Sequence, residues 1–413
     1  MSGPRRRRRL LVLAPFAPRL DALHGGSRTL AEFVSWLASW QEVGLLHFRA
    51  PDEPEIDPAV AARCSWTEEV RRPVVGLSPA GRVWRRGRLL VGVLAGRPMW
   101  VTRWAAPAYA RRLREIARSW KPDLVHLEYH VMGQYLAALR ACPAPRILTQ
   151  YEPGFETARE AWQAARGRSR PVLGLDALAW RGFERRVLSR VQAVVAFTEP
   201  DRAVLTKLAG ATPVVTIRRG TILAEHPSHP AGTRAGSLLF VGNFVHPPNA
   251  DAALRLARNI LPLVRARYPH AVLTLVGDQP PAELRALADD SVRVTGRVPN
   301  LAPELEQAAV VVVPLSHGGG VRIKVLDALA AGKAIVASPL AVAGLGVRDG
   351  LELIVAQTDQ DFAASIVRLL DSEEDRVALA TRARVWALAN LRWEASLRAY
   401  EELYDRLLGP SSE

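Results

Sequence analysis

One short segment of the chain combines three consecutive glycines with two cations and an acid. Residues 318–320 follow an apolar run that ends at Pro314, and Arg322, Lys324 and Asp327 come next in a helical pattern. Glycines let a ligand approach the backbone N–H groups, and the N-terminus of a helix favours phosphate. Arg322 offers a planar fork of donors and Lys324 a compact charge, so the segment suits a diphosphate. Asp327, one turn deeper, suits a ribose diol. The alternative is a plain strand-to-helix connection with solvated charges.

Short apolar runs alternate with helical patterns along most of the chain, and they predict the elements that position these residues. The predicted strands are 10–15, 122–127, 146–150, 191–197, 238–241, 271–276, 292–295, 309–314 and 334–337. Helical spacing occurs at 29–40, 250–268, 324–331 and 373–408. Continuous apolar strands that alternate with helices are typical of a parallel sheet covered on both faces.

The length and a change of composition predict two domains. A chain of 413 residues fits two cores of ordinary size. A stretch rich in Pro, His and Gly at 227–236 is typical of a linker. We therefore predict an α/β fold with two Rossmann-like domains that face each other across a cleft, at 1–222 and 223–385. A C-terminal helix at 386–413 follows, for which a return to the N-terminal domain is one option. Such a cleft is a natural ligand site.

Composition excludes several classes of protein. The sequence is 49% apolar and 23% charged, which is typical of a folded globular protein. It lacks the ~18 unbroken apolar residues of a membrane span. The basic run at 5–9 precedes a short, proline-interrupted apolar stretch, so we predict a cytoplasmic protein. Only Cys64 and Cys142 are present, without metal-ligand spacing, so we predict neither a disulfide framework nor a metal cofactor.

The formal charge of +14 favours polyanionic partners. Between residues 71 and 121, thirteen Lys or Arg residues stand against one acid, Glu115. Four tryptophans lie among them: Trp84, Trp100, Trp104 and Trp120. This mixture suits the headgroup layer of an anionic bilayer, although it also suits phosphate contacts and stacking in nucleic acids. Because no nucleic-acid module accompanies it, we predict peripheral membrane binding and no specific nucleic-acid partner. The alternative interpretation, a solvated arginine-rich surface with tryptophans in the core, remains open.

Five motifs occur in order in the C-terminal half: FVGN at 240–243, PPN at 247–249, VGD at 276–278, TGRVPN at 295–300 and GGGVRIKVLDALAAGKAIVAS at 318–338. Their order and spacing resemble the donor domain of family 4 retaining glycosyltransferases of the GT-B fold. The resemblance is strong over 238–356 and weak in the N-terminal half. It implies an enzyme that moves a sugar from a nucleoside diphosphate to an acceptor hydroxyl with retention, without a protein nucleophile or a cofactor.

The resemblance also implies site residues. The family has two glutamates eight positions apart, the first at the donor sugar and the second at the ribose; Gly319 and Asp327 stand there in this chain. The shorter acid at Asp327 is conservative, whereas Gly319 leaves sugar recognition unexplained. The implied donor-binding residues are Gly25, Gly26, Gly242, Asn243, Arg297, Val298, His317, Gly318, Gly319, Gly320, Val321 and Asp327. The implied catalytic residues are Arg322, Lys324, Tyr151 and Glu152.

The N-terminal candidates lie after predicted strands. Gly25 and Gly26 are expected in the first strand-to-helix loop, under the donor phosphates, or form an ordinary tight turn. Tyr151 stands where many relatives carry a histidine; it can bond a sugar hydroxyl but does not titrate near neutral pH. Glu152 either orients a sugar hydroxyl or is a surface residue. A second rank of candidates, Glu128 and His130, follows the predicted strand 122–127.

Two other functions remain open from the sequence. The departures at Gly319, Asp327 and Tyr151 are also compatible with a degenerate protein that binds a sugar nucleotide without transfer. A sugar-nucleotide epimerase, a hydrolase or a phosphorylase is the other alternative. The predicted partners of the enzyme are a nucleotide sugar, a glycan or lipid-linked acceptor of a cell-envelope pathway, and an anionic membrane surface.

Overall fold

The structure, a computed structural model, describes residues 7–21, 25–51, 53–72, 79–221, 223 and 226–409, with backbone only at 79, 80, 82, 83, 85 and 168. These residues form two parallel sheets, which confirms the predicted α/β fold with two Rossmann-like domains. The predicted domain boundary falls at residue 222, outside the described part, as do residues 5 and 6 of the basic run. We use N-lobe for the described residues up to 221 and C-lobe for 223–390.

The N-lobe is built on a sheet of seven described strands, all parallel, in the order β3-β2-β1-β4-β5-β6-β7. The strands are β1 (Arg9–Ala14), β2 (Glu42–Arg49), β3 (Trp66–Arg71), β4 (Leu124–Glu128), β5 (Arg146–Gln150), β6 (Ala193–Ala196) and β7 (Val214–Thr216). Sequence patterning predicted β1, β4, β5 and β6 to within two residues. It missed β2, β3 and β7. Strand β3 was missed because this edge strand, WTEEVR, is only half-buried and carries charges.

The C-lobe sheet has six described strands, also parallel, in the order β10-β9-β8-β11-β12-β13. They are β8 (Ser237–Val241), β9 (Val272–Val276), β10 (Val292–Gly296), β11 (Val310–Val313), β12 (Ile335–Ala337) and β13 (Ile354–Val355). The four valines of β11 are buried on both faces, as expected for a central parallel strand covered by helices. The carboxyl end of β11 leads directly into the three-glycine segment.

Helices cover both faces of the N-lobe sheet. They are α1 (Gly25–Trp40), α2 (Pro58–Ala61), α3 (Pro79–Leu94), α4 (Met99–Arg103), α5 (Pro107–Trp120), α6 (Gly154–Ala164), α7 (Arg170–Leu188) and α8 (Glu199–Ala209), with 3-10 turns at His130–Leu139 and Gly167–Ser169. The expected loop position of Gly25 and Gly26 is wrong, because both residues belong to the first turn of α1. The described helices include none with the length and apolar content to cross a bilayer.

The helices of the C-lobe are α9 (Pro247–Arg255), α10 (Leu261–Arg265), α11 (Ala282–Arg285), α12 (Ala302–Gln307), α13 (Ile323–Ala330), α14 (Pro339–Val342), α15 (Asp359–Asp371) and α16 (Glu373–Asn390). A π-helical turn, Leu256–Ile260, joins α9 to α10. The long C-terminal helical pattern is two helices, since α17 (Trp393–Leu408) follows a break after α16. Helix α17 packs on the N-lobe: Tyr400 contacts Phe33, with ring centroids 5.0 Å apart, and Tyr404 lies in the same core cluster.

Candidate active site

A cavity of about 680 Å³ lies between the two lobes. We call it the interlobe cleft. Its N-lobe side is formed by Leu20, Asp21, Gly25 and Arg28. Its C-lobe side includes Gly242, Asn243, Asn249, Arg297, Val298, His317, Gly318, Gly319, Val321, Arg322, Lys324 and Asp327. Most of the residues proposed from the sequence therefore line one cleft, in a position where open α/β sheets bind ligands. Four do not line it: Gly26, Tyr151, Glu152 and Gly320.

The three-glycine segment connects β11 to α13. Gly318 and Gly320 have φ angles of +104° and +78°, a backbone conformation that residues with side chains rarely adopt. Gly319 does not have a positive φ. The segment is thus shaped by two obligatory glycines, while the middle position has a backbone that any residue can adopt.

Arg322 determines how this segment is held. Its Nη1 donates hydrogen bonds to the carbonyl oxygens of Gly319 and Gly320, and its Nη2 donates to that of Gly318. The sequence pattern suggested that the guanidinium faces a diphosphate, but here three of its contacts are with the backbone of its own loop. Arg322 therefore fixes the shape of the three-glycine segment in addition to adding positive charge beside the cleft.

Lys324 lies in the first turn of α13 and is enclosed on several sides. Its Nζ donates to Asn249 Oδ1 at 2.5 Å and lies 4.5 Å from the centroid of the Phe240 ring. Asn249 in turn donates from Nδ2 to the carbonyl oxygen of Asn243 at 2.7 Å. Burial, followed by the positive charge of Arg322, lowers the pKa of Lys324 to about 7. An anion in the cleft would favour the charged ammonium and reverse much of that shift.

Asp327, on the deeper turn of α13, pairs with a residue of the opposite lobe. Arg28 of α1 donates from Nη1 to Asp327 Oδ2 at 3.1 Å and from Nε to Glu32 Oε1 at 3.0 Å. Sequence reasoning missed Arg28. The sequence feature that could have indicated Arg28 is its position three residues after Gly25. The helix that carries both residues packs at its start against Ile323 of the C-lobe.

Tyr151 faces the interior of the N-lobe. Its hydroxyl donates to Glu128 Oε2 at 2.8 Å, and its ring stacks on Tyr129 with centroids 3.7 Å apart. The Tyr129 hydroxyl reaches Gly26, where a Cβ would collide with it. Burial raises the pKa of Tyr151 well above its usual value, so it stays neutral. Tyr151 and Gly26 therefore belong to the support behind the cleft.

The second-rank candidates Glu128 and His130 are both buried, each about 1% exposed. His130 lies between Trp100 and Trp180, at ring-centroid distances of 5.0 and 4.7 Å. Burial lowers the pKa of His130 to about 3, which keeps the imidazole neutral at physiological pH. The expectation that these two residues meet a ligand at the strand end is wrong, because Glu128 is the buried last residue of β4 and the 3-10 turn that follows folds His130 into the core.

Glu152 is the carboxylate of the N-lobe that meets the three-glycine segment. A Cβ at Gly319 would lie 3.3 Å from Glu152 Oε2 and 3.2 Å from Thr157 Oγ1. Burial raises the pKa of Glu152, and the positive charge of Arg322 opposes that increase. The carboxylate thus occupies the space that a side chain at position 319 would enter.

Other polar groups complete the cleft. Arg297 donates from Nη2 to the carbonyl oxygen of Asp21 at 3.0 Å and so joins the lobes a second time. His317 Nε2 lies 3.3 Å from Asp251 Oδ2 at the rim. Within the described ranges, no group of three or more His, Cys, Asp or Glu side chains is placed to hold a metal ion. The charged groups at the cleft are therefore chiefly arginine, lysine and single carboxylates.

Comparison with known proteins identifies the family. Residues 23–225 match the family described as Glycosyltransferase Family 4, and residues 235–372 match Glycosyl transferases group 1. A phosphatidyl-myo-inositol mannosyltransferase of Mycolicibacterium smegmatis is 31% identical over 289 residues, covering 67% of this chain and 69% of the relative. The chain belongs to glycosyltransferase family 4. It is a transferase enzyme, as its motifs predicted.

Other proteins resemble this family 4 glycosyltransferase. A D-inositol 3-phosphate glycosyltransferase of Frankia alni is 28% identical over 319 residues, covering 70% of this chain and 75% of the relative. Sucrose-phosphate synthase from Thermosynechococcus elongatus superposes with a TM-score of 0.70 at 19% identity, over 97% of this chain and 99% of that one. Alr3699/HepE of Anabaena, solved with UDP and glucose, superposes with a TM-score of 0.65 at 13% identity, over 96% of this chain and 99% of that one. These structures support the GT-B arrangement of the two lobes.

Proposed function

We propose that this glycosyltransferase moves a sugar from a nucleoside diphosphate to an acceptor hydroxyl, with retention at the anomeric carbon. The observation that carries the proposal is the convergence of the α13 N-terminus, Lys324 and Asp327 on one interlobe cleft. Alr3699/HepE, which shares the fold, binds UDP, glucose and UDP-glucose. The volume of the cleft suits a ligand of that size.

The diphosphate is proposed to lie at the start of α13. The N-terminal end of α13 and the Lys324 ammonium lie in that region, and Arg322 holds the glycine segment beside it. As the glycosidic bond breaks, the leaving diphosphate gains negative charge. Donors placed at those oxygens stabilise the transition state more than the bound donor, which lowers the barrier.

These cations also support a reaction without a metal ion or other cofactor. Lys324 and the helix N-terminus supply positive charge where the diphosphate departs, so the chain carries its own electrostatic stabilisation. We expect turnover in EDTA to equal turnover in Mg²⁺. A large loss of activity in EDTA that Mg²⁺ restores would contradict this part of the proposal.

Glu152 is proposed to bind the donor sugar. The resemblance places a glutamate of the C-lobe at position 319, where this chain has glycine. Glu152 reaches the same space from the N-lobe, since its Oε2 lies 3.3 Å from the Cβ that a residue 319 would have. A carboxylate there accepts hydrogen bonds from sugar hydroxyls. Recognition of the sugar then depends on both lobes rather than on α13 alone.

The acceptor is proposed to be lipid-linked or a cell-envelope glycan precursor, met at an anionic membrane surface. Helix α3 exposes Trp84, Leu90, Val91 and Leu94, and the neighbouring α7 exposes Val172, Leu175 and Leu178. Arginines lie among them, which suits the headgroup layer. Of the four tryptophans proposed from the sequence, Trp84 is the exposed one; Trp100, Trp104 and Trp120 pack inside the N-lobe. A mannosyltransferase relative is named for the lipid phosphatidyl-myo-inositol.

The proposal is tested first by binding and then by product. A thermal-shift screen with UDP-, GDP- and ADP-sugars should raise the melting temperature for one base, because a ligand of the folded state stabilises it. The selected donor is then incubated with candidate acceptors, and NMR of the product gives the anomeric configuration. Retained configuration supports the proposal. Binding without turnover or donor hydrolysis would indicate a degenerate binding protein, and release of nucleoside diphosphate without a glycoside would indicate a hydrolase.

A further inference from the structure

A chain of charged contacts crosses between the lobes at Arg28. The guanidinium pairs with Asp327 of the C-lobe at 3.1 Å and with Glu32 of its own helix at 3.0 Å. Arg28 lines the interlobe cleft and exposes 31% of its side chain, while Asp327 exposes 14%. One cation of the N-lobe thus holds the carboxylate for which the sequence pattern predicted a contact with the donor ribose.

Glu32 links the same contact to the places where the chain passes between the lobes. Its side chain is fully buried, and its Oε2 accepts hydrogen bonds from Arg219 Nη2 at 3.2 Å and Trp393 Nε1 at 3.1 Å. Arg219 belongs to the connection that leads to the C-lobe, and Trp393 begins α17, which returns to the N-lobe. The backbone N–H of Thr221 donates to the carbonyl oxygen of Leu391 at 2.8 Å and ties the two crossings together.

We propose that Arg28 is a positioning residue that orients the Asp327 carboxylate for the donor ribose and makes this recognition depend on the closed arrangement of the lobes. The inference rests on the proposed function, because it requires a nucleotide in the cleft. The bond from Arg28 to Oδ2 fixes the orientation of the carboxylate and leaves Oδ1 for the ribose diol. If the C-lobe moves away from α1, the pair breaks and Asp327 loses its orientation.

The same geometry accounts for the choice of acid at position 327. An aspartate carboxylate is one methylene nearer to the α13 backbone than a glutamate carboxylate and has fewer rotamers to restrict. Arg28 extends across the cleft to meet it at hydrogen-bond distance. In this chain the short acid is therefore oriented by a cation of the opposite lobe, but only while the lobes are together.

The test compares two ligands that differ only in the diol. UDP, GDP and ADP are titrated into the full-length protein by calorimetry, and the tightest is compared with its 2′,3′-dideoxy form. Wild type should prefer the ribonucleotide about tenfold or more, the effect expected for hydrogen bonds to a charged group. Arg28→Met should lose most of this preference and bind the dideoxy form as wild type does. Arg258→Met, which removes the exposed pair with Glu283, is the control and should keep the preference.

The outcomes separate the possible roles. If Arg28→Met weakens both ligands by the same factor, Arg28 acts on the phosphates or on folding, and the inference is overturned. Asp327→Asn should lose the preference as well, and Arg28→Met in that background should add no further loss; an added loss also overturns it. If wild type binds none of the three diphosphates, the proposed function itself fails. Melting temperatures of all variants identify any that do not fold.

Discussion

The two walls of the interlobe cleft are built in different ways. The C-lobe wall comes largely from one strand-loop-helix unit, in which the glycine segment, Lys324 and Asp327 are close neighbours in sequence. The N-lobe side is assembled from distant pieces: Arg28 of α1 lines the cleft and meets a partner 299 positions away, and Glu152, after β5, meets the three-glycine segment from outside the cleft. The proposed phosphate site is therefore local in sequence, whereas the proposed sugar contacts depend on how the lobes meet. The variants below test this difference.

The largest loss of activity is expected for a change at Lys324, in the strand-loop-helix unit of the C-lobe. Lys324→Met keeps the length of the side chain but removes its charge, and we expect kcat to fall about 10²–10³-fold, as for the loss of one transition-state donor. Steady-state kinetics with the donor selected above measures this.

Lys333 provides a matched control for that variant. It is fully buried at the other end of the α13 unit, outside the cleft, and its Nζ donates to the carbonyl oxygen of His229 at 2.5 Å. Lys333→Met should leave kcat within about twofold, because charge away from the leaving group contributes little to the transition state. Equal losses in both variants would show that any buried lysine of the C-lobe matters, and would remove the distinction between the walls.

The next largest loss of activity is expected for a change at Glu152, which belongs to the N-lobe. Glu152→Ala should lower kcat/KM for the donor about 10–100-fold, as expected when a charge-assisted hydrogen bond is lost, while the affinity for the free nucleoside diphosphate stays unchanged. Calorimetry and steady-state kinetics give the two quantities. Glu160→Ala, a change of an exposed acid in α6, serves as the control.

A second variant tests whether activity requires only a carboxylate at this place, or one that comes from the N-lobe. Gly319 has no positive φ, and Glu152→Ala removes the carboxylate that would lie 3.3 Å from a Cβ at position 319, so Gly319→Glu is introduced in that background. The double variant should recover part of the lost kcat/KM. If Gly319→Glu lowers activity further, Glu152 does not stand in for a residue at position 319.

A smaller effect is expected at Arg322, because its role is divided between loop shape and charge. Arg322→Ala should lower kcat at least about tenfold. Arg322→Lys should not restore it, since a single ammonium cannot hold three carbonyl oxygens as the planar guanidinium does. Full rescue by lysine in the kinetic assay would show that the charge alone is sufficient.

The smallest effect on turnover is expected at the exposed face of α3, far from both walls. Leu94→Glu should leave turnover of a soluble acceptor within about twofold but reduce co-sedimentation with vesicles of phosphatidylglycerol and phosphatidylcholine, because the charge opposes insertion among headgroups. Val385→Glu, an exposed apolar site on α16, is the matched control and should not alter co-sedimentation. Equal binding by wild type and Leu94→Glu would contradict a membrane surface on α3.

Particular residues show why the sequence predicted the C-lobe side of the cleft better than the N-lobe side. Strand β11 is a run of four valines, and the glycines, Lys324 and Asp327 follow it at fixed spacing, so the sequence predicted both the unit and the residues with which it lines the cleft. The inward direction of Tyr151 depends instead on its hydrogen bond to Glu128, the buried last residue of the neighbouring strand β4. The bonds of Arg322 to its own loop depend on a backbone shape that spacing does not give.

The sequence by itself determined two parallel α/β lobes, the glycine turn before α13 and the family, because hydrophobic periodicity, glycine conformation and helix polarity act over a few residues. Only the tertiary structure decided that Glu152 fills the space beside Gly319, that Arg28 holds Asp327 and that Glu32 ties this pair to the crossings between the lobes. These contacts join residues far apart in the chain. Their distances follow from how two rigid lobes pack, which no local pattern encodes.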